Sequence, residues 1–143
     1  MPHASRTVVI AKPRTEVFAF LADAENDPTW RTGVISIKRD GPLGVGARYT
    51  QQTAGPLSRP IAADLVVTEY DPEVRVAFQV VAGPVRPVGS YVFTGDQLTT
   101  VTFTLDVTLT GIKNLLMSRM VQQTMDAEVA ALDRAKALLE SRR

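Results

Sequence analysis

A chain of 143 residues is long enough for one domain that buries roughly two-thirds of the surface its unfolded form exposes, so a single domain over 1–143 is expected. Its 16 Lys and Arg stand against 15 Asp and Glu, interspersed along the sequence, which leaves no electrostatic footprint for nucleic acid. With no cysteine and one histidine, His3, in a terminus expected to fray, disulfides, thiol nucleophiles, thiolate metal sites and histidine-based clusters or triads are excluded.

Residues 6–11, Arg-Thr-Val-Val-Ile-Ala, form a β-branched run that reads as a first strand. Pro13 stops it and opens a short amphipathic helix over 13–22, with Glu16 in its first turn. Asp23 caps a second short helical piece limited by Pro28, and the pair forms a helical elbow followed at once by Trp30. Strands are predicted over 33–38 and 47–53, with the glycines at 41, 44 and 46 making the turn between them. A phosphate-cradling role for those glycines is rejected because no helix N-terminus or Lys-Ser/Thr pair follows. Further strands are predicted over 61–70, closed by Asp71-Pro72, over 74–80, and over 88–94 after a loop at 82–87. The clearest strand is 99–109, with Val101, Phe103, Leu105, Val107 and Leu109 on a dry face and Thr100, Thr102, Thr104, Asp106 and Thr108 on a wet one.

The chain closes on a stretch from Gly111 to Glu140 that is free of Gly and Pro from Met117 onward and rich in strong helix formers. About 25 residues in one helix make a rod of roughly 38 Å. Met117, Val121, Met125, Leu132, Ala135 and Leu139 form its apolar stripe, which needs a partner surface longer than one short helix provides. Roughly seven strands joined by short turns, with helices at the two ends of the sequence, indicate an α+β fold: a curved antiparallel sheet gripping a long C-terminal helix, with two short helices after the first strand.

This order of elements resembles the START-related helix-grip superfamily (SRPBCC), in particular its polyketide cyclase/dehydrase and lipid-transport branch. The resemblance is carried by Ile-Ala-Lys-Pro-Arg-Thr-Glu-Val-Phe at 10–18 with Leu21, Asp23 and Trp30, by Val-Thr-Glu-Tyr-Asp-Pro at 67–72, and by 125–140 with Leu132 near its centre. These are packing and turn motifs, specific for the fold and weak for any activity. The resemblance implies a cavity between sheet and long helix that holds an apolar or amphipathic molecule. No cofactor and no metal are expected.

The residues expected at such a cavity are Trp30, Tyr49, Gln51, Phe78, Tyr91, Phe103, Met117, Val121, Met125 and Glu128. Trp30 either lines the entrance or staples the elbow to the sheet. Tyr49, Gln51 and Tyr91 are the polar handles if strand register points them inward; one bulge would reverse them. Ile112, Leu115, Leu116 and Met117 read as packing on a neighbouring loop or as an apolar lid, with the loops 54–60 and 82–87 at the same rim. Glu128 falls near the middle of the helix's apolar stripe. It is then either an edge residue paired with a Lys or Arg, or the one ionisable group inside the cavity.

The expected function is binding of a small hydrophobic or amphipathic ligand, lipid-like or polyketide-like. The alternatives are a cyclase or dehydratase using inward Glu and Tyr side chains, since catalysis without His or Cys has few other acids and bases to draw on, and a protein-interaction module on the polar outer face of the sheet. A second copy of the chain is an open partner. No apolar run is long enough to span a bilayer and no signal pattern starts the sequence, so a cytoplasmic protein is expected.

Overall fold

The computed structural model describes residues 2–55, 57, 59–108 and 114–142, with the side chains of 114–117 excepted. Strands β1 (His3–Ile10), β2 (Val34–Asp40), β3 (Arg48–Ala54), β4 (Pro60–Ala62), β5 (Leu65–Asp71), β6 (Arg75–Val80), β7 (Val88–Gly95) and β8 (Thr99–Asp106) form one antiparallel sheet. Helix α1 (Arg14–Leu21) and a 3₁₀ helix (Ala24–Thr29) follow β1, and α2 (Asn114–Ala130) and α3 (Leu132–Glu140) close the chain. The sheet order is β1-β8-β7-β6-β5-β3-β2, with β4 paired to β3 off that path. The sheet curls into a half-barrel around the C-terminal helices, the helix-grip architecture.

Three predicted elements differ in detail. The strand expected over 61–70 is two, because the chain turns at Ala63 and Asp64: Asp64 Oδ1 accepts from the Gln51 amide at 3.2 Å and Oδ2 from Arg48 at 3.1 Å, so the side chain bonds the neighbouring strand. The strand expected over 99–109 ends at Asp106. The single long helix is two segments, α2 and α3. At Ala131 the amide is shared between the Ala127 and Glu128 carbonyls at 3.1 and 3.2 Å, and Arg134 N–H bonds the Ala131 carbonyl three residues back, so one turn is 3₁₀-like. The terminus at His3 is also not frayed: it is the start of β1, and Gln122 clasps it, accepting from the His3 amide at 3.0 Å and donating to its carbonyl at 2.6 Å. The lid expectation on Ile112, Leu115, Leu116 and Met117 lies outside the described residues.

Side-chain alternation explains the core. β8 buries Val101, Phe103 and Leu105, while Thr102 and Thr104 bond hydroxyls of Thr7 and Ser5 across to β1. Asp106 is exposed, as expected of the wet face, and bonds His3. Phe18 of α1 meets Tyr70 and Phe93 edge-on at 5.5 and 5.2 Å. Leu132, Ala135 and Leu139 of α3 are fully buried.

The helices are tied to one edge of the sheet. Along their length His3 is held by Gln122, Arg6 by Asp133 at 2.6 Å, the Val9 carbonyl by Lys136 at 2.6 Å, and the Ala11 amide by Glu140 at 2.8 Å. β1 sits at one end of the strand order and β2 at the other. α3 therefore packs down close to β1, while α2 stands off from β3, β5 and β6, and the open space lies between them. None of the described helices is long and apolar enough to cross a membrane.

Candidate ligand-binding site

The space between α2 and the curled sheet is a cavity of about 580 Å³, within the range of small-molecule sites. Its walls are mostly apolar. Tyr91 and Phe103, directly opposed on β7 and β8, stack with centroids 4.4 Å apart and ring planes 19° apart, and Phe78 on β6 stands 6.3 Å from Tyr91. Phe78 has room because it faces Gly89: a Cβ there would lie 2.2 Å from the ring. Val121 and Met125 of α2 form the opposite wall. The loops expected at the rim contribute Gly55, Pro84, Val85 and Pro87, and the largely exposed Met120 joins them from α2.

One side of the cavity is charged. The 3₁₀ helix starts with Asp23 as N-cap, whose carboxylate accepts from the Glu25 amide at 3.1 Å. It closes with the Arg31 amide donating to the Asp27 carbonyl at 2.7 Å, which places the side chains of Asp27 and Arg31 together. Arg31 Nη1 donates to Asp27 Oδ2 at 2.8 Å and to Gln51 Oε1 at 3.1 Å, while Nε donates to Glu128 Oε2 at 2.8 Å from across the cavity. Gln51 is held in turn by its Nε2 donating to the Ala63 carbonyl at 2.9 Å. The network joins the elbow, β3 and α2, all of which contribute to the cavity wall.

Burial sets the protonation of this cluster. Desolvation pushes the Asp27 carboxyl up to about 6, against the pull of Arg31. Burial by itself would lower the Arg31 guanidinium, but the carboxylates of Glu128 and Asp27 outweigh it and hold Arg31 above its ordinary range. Tyr91 is held well above the ordinary phenol range, first by burial and then by Asp27. Four polar atoms here bond no described residue: Asp27 Oδ1, which is buried, Arg31 Nη2, the Tyr91 hydroxyl and Glu128 Oε1.

The structure therefore places Tyr49, Gln51, Phe78, Tyr91 and Phe103 on the sheet wall of the cavity and Val121, Met125 and Glu128 on the helix wall. Trp30 is elsewhere. It is almost fully buried behind the wall, edge-on to Phe103 at 6.3 Å, and staples the elbow to the sheet instead of lining an entrance. The Met117 side chain lies outside the described residues. Glu128 lines the cavity and is paired there with an arginine, so it matches neither alternative in full: the pairing is present, but not at an edge of the helix. It is not the only ionisable group there, because Asp27 and Arg31 also line the space. Sequence reasoning missed both. The available signal was an acid and a base four residues apart flanking the lone tryptophan, a pattern that on an ordinary helix marks a surface pair.

A family model described as polyketide cyclase/dehydrase and lipid transport matches residues 1–140. The chain belongs to that family. No curated protein matches the sequence. Among solved structures, a protein from Thermus thermophilus, TTHA0849, is similar with a TM-score of 0.77 at 25% identity, covering 93% of this chain and 92% of that one. A START superfamily protein from Mycobacterium smegmatis gives a TM-score of 0.69 at 14% identity, covering 96% and 98%. The Zhui aromatase/cyclase from a Streptomyces species gives 0.68 at 15% identity, covering 90% and 89%. At the identities of the latter two, the likeness is one of fold.

Proposed function

We propose that this protein binds a small molecule with a largely apolar body and one polar group in the cavity between the sheet and α2. The observation that carries the reading is the cavity itself: about 580 Å³ of space with aromatic and aliphatic walls and a buried polar cluster at one side. Open volume on this scale costs packing contacts in a chain that folds for itself alone, and a ligand restores them. The unpartnered Tyr91 hydroxyl and Glu128 Oε1 supply the few polar handles that orient a bound molecule.

Cyclase or dehydratase chemistry is the alternative reading. It is supported by the family description and by a carboxylate oxygen and a phenol hydroxyl, both without partners among the described residues, on the walls of one cavity. Binding alone needs neither group to transfer a proton, so it is preferred.

Native mass spectrometry of freshly purified protein tests both. A co-purifying small molecule of constant mass, together with saturable binding of an apolar dye that this molecule displaces, is the expected result. A bound molecule that leaves lighter by the mass of water moves the assignment to the enzyme. No adduct, no dye binding and no thermal shift with any apolar ligand class would overturn the binding reading.

A further inference from the structure

An arginine at the polar side of an apolar cavity suggests an anionic head group, but the charge count here points the other way. Arg31 bonds Glu128 through Nε and Asp27 through Nη1, both at 2.8 Å. One guanidinium between two carboxylates leaves one negative charge in excess when all three are ionised. The remaining groups facing the cluster do not reverse that sign. Tyr91 is neutral, Gln51 is neutral and already bonded, and Tyr49, whose hydroxyl is pushed up to about 12 by burial and by Asp23, donates to Asp23 at 3.2 Å. Asp23 is itself paired with Arg39 at 2.8 Å. Among the described residues that line the cavity there is no lysine and no histidine.

We infer that the ligand's polar end is an uncharged hydroxyl, an alcohol or phenol, and that the cavity discriminates against carboxylates. The inference rests on the binding reading above and specifies its ligand class. What the cluster leaves open matches a group that both donates and accepts: Glu128 Oε1 accepts from a ligand hydroxyl, while the Tyr91 hydroxyl donates to its oxygen. Arg31 Nη2, which bonds no described residue, is a second donor to the same oxygen. A ligand carboxylate in that position has no proton for Glu128 and meets the excess negative charge in a poorly solvated site.

Competition against a bound apolar dye at about pH 8, on the full chain, tests this with matched pairs: 2-naphthol against 2-naphthoate, and 1-dodecanol against dodecanoate. The alcohol of each pair is expected to bind at least about tenfold more tightly than its acid. The gap should shrink in Glu128→Gln, which removes the excess charge and keeps the shape. Asp27→Asn, which removes the same charge on the other side of Arg31, serves if the first variant does not fold, with circular dichroism and melting as the check. An acid that binds as tightly as its alcohol overturns the inference and leaves the binding reading standing. A preference for the alcohol that is unchanged in the folded charge variants also overturns it, because charge is then not its origin. If the dye binds but no member of either pair displaces it, the inference is overturned and the binding reading stands; if the dye itself does not bind, the binding reading fails and the inference falls with it.

Discussion

At Asp27 burial and pairing act in opposite directions. The side chain bonds Arg31 yet is nearly fully buried with Oδ1 unpartnered, and burial wins, raising its carboxyl from 3.8 to about 6. From about pH 4 to 6 the folded protein holds a proton that the unfolded chain has released. The contribution of this group to stability is therefore complete below about pH 4 and falls as pH rises to about 6, by at most roughly 3 kcal/mol. Other carboxylates titrate in the same window, so the measurement is a difference. Urea unfolding of the native protein and of Asp27→Asn should diverge in favour of the variant as pH is raised from about 4 to 7. Parallel pH profiles would mean that Asp27 titrates as it does in the unfolded chain.

At the scale of elements, the two C-terminal segments divide the labour. α3 has Leu132, Ala135 and Leu139 sealed against the sheet and none of its residues on the cavity, whereas α2 presents Val121, Met125 and Glu128 to it. The 3₁₀-like turn at Ala131 lies at the boundary between the packed segment and the one over the cavity. Leu132 is completely buried immediately after that turn, so truncation leaves a void that its neighbours fill only in part. Leu132→Ala should lose about 2–5 kcal/mol in urea unfolding. Met120→Ala, at a side chain that is 66% exposed on the same helical arm, should stay within about 0.5 kcal/mol of the native protein. Equal losses at the two positions would contradict this division.

For the molecule as a whole, the cavity links binding to stability. A ligand that occupies it in the folded state alone adds about 2.7 kcal/mol at a hundredfold excess over its Kd. For a domain of this size that corresponds to a Tm rise of roughly 6–11 °C. The rise should grow with the logarithm of free ligand concentration, as scanning calorimetry can follow. A Tm that stays constant while the dye is displaced would mean that the ligand does not favour the folded state, against binding in the cavity.

Order and type of elements were legible in the sequence because they depend on local signals. Alternation in β8, Pro13 at the head of α1, the Asp71-Pro72 turn and the stripe through Leu132 and Leu139 each act within a few residues. The inward placement of Tyr49, Gln51 and Tyr91 followed from strand period once the register held, and Glu128 stood out because helical angle is a local property too. What only the tertiary structure decided is which side chains meet over long sequence separations. Arg31 and Glu128 are 97 residues apart, and their contact depends on how the elbow, the sheet curl and α2 converge. The burial that raises Asp27, the retreat of Trp30 behind the cavity wall and the sign of the charge left facing a ligand all follow from that convergence. They are sums over neighbours brought together in space, and no window along the chain contains those neighbours.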